Sequence, residues 1–327
     1  MRILAKLKRK MGFEDREKLE KRGALLLFQT ELINIIGLET EDSEVLKQID
    51  FVEDFKESEK GVILFNETLL KIGIQHLHEV GLLGAGIYIS ILDSGIFLQD
   101  LGLKYSVALH KDFTGEGLQD EVPHGTIISK LIQSIAPESS MLIGKIVNRF
   151  GEVDEIAVFQ GLEWSYQNKA HLVNLSLGFS RKCQGDCWLC QYVDALVDNG
   201  VHVVSAAGNW GPEKGSISCP GNANKAITIG ASEDGKIANY SSRGFASQEK
   251  PDLLAPGSLS IGKFKIIGTS ISTPIITGTL ASLFSKYQDK EWVIKSVKQS
   301  CKDLGYSKSE QGQGLLNIPM LLEVLEK

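Results

Sequence analysis

From Gly61 onward, short apolar runs alternate with helix-sized segments along the chain. The runs are YISILD at 88–93, MLIGKIV at 141–147, LVNLSLG at 172–178, VHVVSAAG at 201–208 and AITIGAS at 226–232. Between them lie HGTIISKLIQSI (124–135), EIAVFQGLEWSYQNK (155–169) and LCQYVDALVDN (189–199), each long enough for three or four helical turns. Strands apolar on both faces and separated by helices are what a parallel sheet covered on both sides requires. The pattern therefore predicts a three-layer α/β domain over 61–327. Residues 1–60 read differently. Residues 1–22, rich in Lys and Arg with some Glu, predict an exposed helix with opposite charges at helical spacing. GALLLFQTELINIIG, ETEDSEVLKQ and IDFVEDFKES then predict strand, short acidic helix and strand, a small α+β unit of its own. The boundary between the two is placed in KGVILFNET, residues 60–68.

Composition adds little to this picture but closes some alternatives. With 327 residues, 43% hydrophobic and 23% charged, the chain can bury one large core plus an appendage. A net charge of −6, with neither a basic stripe nor a base-stacking motif, argues against nucleic acid as a partner. No run of about 18 apolar residues is present, so no membrane span is expected. The first 22 residues are charged throughout and lack the pattern of a secretory signal, which predicts a cytoplasmic protein. In a reducing compartment the five cysteines, three of them in KCQGDCWLC, lean toward thiols or metal and away from a disulfide framework.

The candidate chemistry sits where strands end and helices begin. Asp93 closes the apolar strand YISILD, and the carboxyl ends of such strands are where α/β proteins build sites. His124 stands at a helix start, with Gly125 allowing close backbone approach. From there an imidazole can turn one nitrogen to a carboxylate and the other to a nucleophile. Ser270 lies at a glycine-preceded turn opening a long helix, beside backbone N–H groups that have no intrahelical acceptor. Asn209 follows the strand VHVVSAAG, and its amide can donate a second bond to the same developing oxyanion.

In order along the chain, ILDSGI, HGT, VNLSLG, AAGN, NYSSRG, KPDLLAPG and GTSISTP resemble the motifs of the subtilisin family, over about Ile72 to Leu316. The resemblance implies a subtilisin-like fold and a serine endopeptidase with Asp93, His124 and Ser270 as triad and Asn209 as oxyanion donor. It implies that substrate binds as an extended strand along Ser176, Leu177 and Gly178. The expected pocket is uncharged, walled also by Ala206, Ala207 and Gly208, with Ser218 near its base. No metal or organic cofactor is expected in the chemistry. The alternative is a catalytically silent binding protein that keeps the cleft.

The sequence departs from the family at three places. The segment from His124 to IGKIV is too short for the calcium-binding loop of secreted subtilisins, so no tight calcium site is expected there. Cys183, Cys187, Cys190 and Cys219 converge beside the expected cleft, which leaves structural zinc, disulfides and free thiols open. The remaining cysteine, Cys301, reads as an inert core residue in a helix. Residues 24–60 resemble the family's inhibitory pro-segment in pattern only. The remaining histidines, His76, His78, His110, His171 and His202, have no nucleophile motif beside them.

Overall fold

Ile3, Ala5 and Leu7 alternate along the first strand and are all buried, a period of two that outweighs the flanking charges. Residues 1–22 are thus not one helix. The computed structural model, which describes residues 1–30, 34–57, 69–70, 72–97, 103, 106–180, 183–261 and 264–326, has β1 at Arg2–Leu7 and confines α1 to Phe13–Glu20. The apolar stretch after Gly23 forms two strands instead of one, β2 (Ala24–Gln29) and β3 (Ile35–Thr40), paired antiparallel. A 3₁₀ turn at Ser43–Gln48 and β4 (Val52–Glu57) complete a sheet of order β2-β3-β1-β4. Its core holds Leu19, Ile36, Leu38, Leu46 and Phe51. This compact unit is Met1–Ile63 and the second is Leu64–Lys327. The predicted boundary, 60–68, falls outside the described residues.

In the second unit, α2 (Ile74–Glu79) precedes β5 (Tyr88–Asp93) and β6 (Val107–Asp112), followed by α3 (His124–Ile135) and β7 (Ser140–Lys145). Then come α4 (Glu155–Gln167), β8 (Leu172–Leu175), α5 (Trp188–Asp198), β9 (His202–Ala206) and β10 (Ile227–Glu233). Short strands β11 (Lys236–Ile237), β12 (Leu253–Pro256), β13 (Ser258–Ile261) and β14 (Phe264–Ile267) lead into α6 (Thr269–Phe284). The helices α7 (Lys290–Gln299), α8 (Lys308–Gln311) and α9 (Ile318–Leu325) follow.

The central sheet has the order β11-β10-β9-β8-β5-β7-β6, with β12 also on β10, and every pairing is parallel except β10 with β11. Its residues divide between two cores. Ile89 and Ile91 join the apolar faces of α2, α3, α6, α7 and α9. Leu92, Leu142 and Val173 join those of α4 and α5 on the other side. The result is the three-layer α/β arrangement with a mainly parallel sheet. The order reverses at β5, which has β7 on one side and β8 on the other, so the crevice beyond its carboxyl end is the topological switch point. Asp93 is the last residue of that strand.

Candidate active site

The turn after β5 and the start of α3 meet so closely that only glycine fits. A Cβ at Gly125 would lie 2.4 Å from the Gly95 carbonyl oxygen and 3.2 Å from Asp93 Cβ. This approach brings His124 to Asp93: the ring Nδ1 lies 2.7 Å from Asp93 Oδ1. A carboxylate can only accept, so Nδ1 carries the proton and Nε2 of the neutral ring is left with its lone pair. The Ser94 N–H donates to the same oxygen at 2.7 Å. Asp93 is 2% exposed, and its Oδ2 is buried without a partner among the described residues.

A second carboxylate, not singled out from the sequence, stands behind this pair. Asp120 is fully buried and accepts from the Ser94 hydroxyl at 2.8 Å, the Thr126 N–H at 2.8 Å and the Thr126 hydroxyl at 2.6 Å. Ser94 in turn accepts from the Gly125 N–H at 2.9 Å. Two of the orphan donors of the first turn of α3 are thereby capped by residues outside the helix. The signal in the sequence is Asp120 in LQDEVPHGT, an acidic residue just ahead of a helix. Burial of the His124 ring works against its charged form, but the charge and hydrogen bond of Asp93 and the charge of Asp120 prevail, so its pKa is raised above 6.5.

Ser270 and Asn209 come together by a different route. Gly268 precedes α6 with φ +151°, a backbone conformation that favours glycine, and its N–H donates to Gly257 O at 2.9 Å. A Cβ at Gly268 would lie 3.1 Å from Ser270 Oγ and 3.2 Å from Asn209 Nδ2, so the hydroxyl and the amide flank one point in space. The amide is oriented: Asn209 Oδ1 accepts from the Thr269 N–H at 2.9 Å and the Thr269 hydroxyl at 3.1 Å, which turns Nδ2 outward as a donor. Thr269 Oγ1 also accepts from the Gly208 N–H at 3.1 Å, fixing the start of α6 to the end of β9. Ser270 is second in the helix, so its N–H lies ahead of the first intrahelical acceptor. Two donors, Ser270 N–H and Asn209 Nδ2, are therefore available to an oxyanion beside the hydroxyl.

The starts of α3 and α6 both lie at the carboxyl edge of the sheet, at the ends of β5 and β9, with only β8 between them. Two strand spacings of about 4.8 Å therefore separate these anchor points. The helices pack together: Gly278 lies against Ile135, and the Ser282 hydroxyl donates to Ile135 O at 3.1 Å.

Ser176, Leu177 and Gly178 continue from the end of β8, and their backbones make no backbone hydrogen bond among the described residues. Ala207 and Gly208 continue from the end of β9. Ser218 spans the two segments. Its hydroxyl donates to Ala207 O at 3.1 Å, and a Cβ at Gly178 would lie 2.3 Å from it. No charged side chain belongs to these walls.

Beside them, the sulfurs of Cys183, Cys187, Cys190 and Cys219 all lie within 4.8 Å of one another, close enough to hold a metal. Cys301 lies just beyond α7, not within it; its thiol donates to Val297 O at 3.3 Å, and burial pushes it up to about 12. Between α3 and β7 the chain takes only residues 136–139. His202 is buried against the edge of Phe284, His171 stacks on Tyr88, His78 bonds Ile135 O, His76 bonds Glu79 and His110 is exposed. No helix among the described residues is long and apolar enough to cross a membrane.

The chain is similar in sequence to several known proteases. The subtilisin Savinase of Lederbergia lenta is 30% identical over 262 residues, covering 73% of this chain and 92% of its own. The alkaline protease of Shouchella clausii is 28% identical over 319 residues, 89% of this chain and 80% of its own. Subtilisin E of Bacillus subtilis strain 168 is 29% identical over 267 residues, 74% and 67% of the two chains. The sequence signature of the subtilase family matches residues 84–314, more than half of the chain. The chain belongs to the subtilase family.

Proposed function

We propose that this subtilase, a serine-type endopeptidase, cleaves peptide bonds with Ser270 as nucleophile, His124 as general base and acid, Asp93 as the group that orients the ring, and Asn209 as oxyanion donor. The observation that carries the reading is the convergence of the Ser270 hydroxyl and the outward Asn209 amide on one point beside Gly268. As Ser270 Oγ attacks the carbonyl, its proton passes to His124 Nε2. Asp93 stabilises the charged ring without taking the proton. The carbonyl oxygen becomes an oxyanion between Ser270 N–H and Asn209 Nδ2. His124 then returns the proton to the leaving amine. Water, deprotonated by the same ring, releases the acyl group from Ser270. No cofactor takes part in these steps.

Substrate adds as a strand to the unpaired backbone of Ser176, Leu177 and Gly178. The uncharged walls, with Ser218 at the base, select an uncharged side chain. The Met1–Ile63 unit, which has its own sheet and core, is proposed to restrain the enzyme until it is removed. Crowded thiols support work in a reducing compartment, the cytoplasm, which fractionation of the native host tests.

Labelling with a fluorophosphonate probe tests the chemistry and the restraint together. Label is expected in the full chain, absent in Ser270→Ala and increased in a chain lacking residues 1–60. Absence of label in both active-serine chains would remove the endopeptidase reading and favour a silent peptide-binding protein. Equal labelling with and without residues 1–60 would remove the inhibitor.

A further inference from the structure

Four buried or half-buried cysteines beside the substrate walls play no part in the peptidase chemistry. Cys183 Sγ is 3.6 Å from Cys190 Sγ, Cys190 Sγ is 3.6 Å from Cys219 Sγ, and Cys187 Sγ is 3.2 Å from Cys219 Sγ. Sulfurs around a tetrahedral ion with Zn–S near 2.3 Å stand about 3.8 Å apart, so the separations suit a ligand shell. The contacts join all four sulfurs into one group: Cys190 lies as close to Cys219 as to Cys183, so Cys187–Cys219 and Cys183–Cys190 do not stand apart as separate pairs. Other features of the chain fit the same role. Cys187 precedes α5 and Cys190 lies in its first turn, so two ligands reach the site from the positive end of a helix. The Gly185 N–H points at Cys183 Sγ at 3.3 Å, a bond that supports a thiolate.

We propose that Cys183, Cys187, Cys190 and Cys219 bind one zinc ion as a tetrathiolate, and that this ion braces the wall of the substrate cleft. On binding, each of the four S–H groups gives its proton to solvent and the ion exchanges its water for sulfur. No electron is transferred. Zinc fits because a closed S₄ shell is its structural preference.

The bracing follows from what Cys219 holds, and it rests on the assignment of Ser176–Gly178 to substrate. Cys219 pairs antiparallel with Phe179, its N–H donating to Phe179 O at 3.1 Å and its carbonyl accepting from the Phe179 N–H at 2.8 Å. Phe179 directly follows Gly178, and Ser218 directly precedes Cys219. With Ser218 Oγ only 2.3 Å from where a Gly178 Cβ would stand, the two walls have no slack. On the far side, a Cβ at Gly185 would lie 2.8 Å from Asn222 O, so the loop carrying Cys183 presses on the segment that follows Cys219. Releasing the ion therefore loosens Cys219, and with it both Ser218 and the end of the substrate strand.

The test uses the full chain purified without added metal. One zinc per chain is expected by mass spectrometry of the elements, retained in Cys301→Ser and lost in Cys190→Ser. Since Cys190→Ser can fail for want of folding, the wild-type chain is also titrated with a mercurial beside a metallochromic indicator; release of one zinc by four equivalents is expected. Cobalt exchanged into the site is expected to show thiolate charge-transfer and tetrahedral d–d bands. Dialysis against chelator with reductant should raise KM for a peptide ester about tenfold, the loss of about one hydrogen bond of binding. kcat should be little changed, and zinc should restore KM.

Metal-free protein with five titratable thiols, a mass lowered by disulfide formation, or iron in place of zinc would overturn the site. An unchanged KM after zinc loss would overturn the bracing. Stoichiometric zinc in a chain that the fluorophosphonate never labels would overturn the peptidase reading and the bracing while leaving the zinc site standing.

Discussion

Asp93 and His124 are backed by a buried network of polar side chains, whereas Ser270 and Asn209 are set mainly by the backbone at Gly268 and by Thr269. On the first side, Ser94, Asp120 and Thr126 form a buried lattice of hydrogen bonds ending on the two carboxylates. On the second, the φ of +151° at Gly268 and the amide and hydroxyl of Thr269 set the positions. The difference suits what each half does in the proposed mechanism. A base needs its protonation tuned, and neighbouring charges do that at short range. An oxyanion site needs donors fixed before charge appears, and backbone held in one conformation does that without reorganising.

The contrast is broken hardest on the charged side. Asp93→Asn keeps the shape of the side chain but presents a neutral amide to Nδ1, which favours the wrong tautomer. A loss of about 10⁴ in kcat is expected, with the folded state retained by circular dichroism. A loss of tenfold or less would mean that the lattice behind Asp93, and not Asp93 itself, orients the ring.

The backbone side should yield a smaller loss of a different kind. Asn209→Ala removes one of two donors, and kcat is expected to fall by about 10² to 10³ with KM little changed. Gly268→Ala places a methyl between Ser270 Oγ and Asn209 Nδ2, at 3.1 and 3.2 Å. It also strains a φ that favours glycine, so a comparable fall is expected. Fluorophosphonate labelling rates measured beside kcat should fall with it. An effect on KM alone would move Asn209 from oxyanion stabilisation to ground-state binding.

The same contrast explains what could be read from the sequence. The backbone half was legible because it is written in adjacent residues: AAGN and GTS carry the amide, the glycine and the serine in order. Asp93 and His124 were legible for the same reason. Asp120 was not, because its role depends on a fold that brings Ser94, 26 residues away, within 2.8 Å. The parallel sheet was clear from the apolar runs of β5, β7, β8, β9 and β10, which are buried on both faces, whereas β6 is largely exposed and carries no such run. β1 reads as helix in the sequence because five of the first ten residues are basic, and charge at helical spacing masks the alternation of Ile3, Ala5 and Leu7. The approach of Cys219 to three cysteines some 30 residues earlier was expected from the family resemblance, not from any local pattern, and the structure brings the four together beside the bridge of Cys219 to Phe179.

The gentlest probe is Asp120→Asn, and it separates tuning from scaffolding. His124 must be neutral to accept a proton, so kcat/KM falls as pH drops through the ring's raised pKa. Asp120 is one of the charges that raise it. Removing that charge should move the acid limb of the profile to lower pH, leaving the plateau within a few-fold of wild type. Stability carries the opposite sign of pH dependence. A histidine with a raised pKa contributes stability that is fully present below its unfolded pKa of about 6.5 and lost as pH rises through the folded value. Asp120→Asn should therefore lower Tm more at pH 5 than at pH 9 through this charge, over and above a loss at both pH values from the broken helix cap. A plateau reduced at all pH values with the limb unmoved would make Asp120 a scaffold alone, and His124 would then be tuned by Asp93 without help.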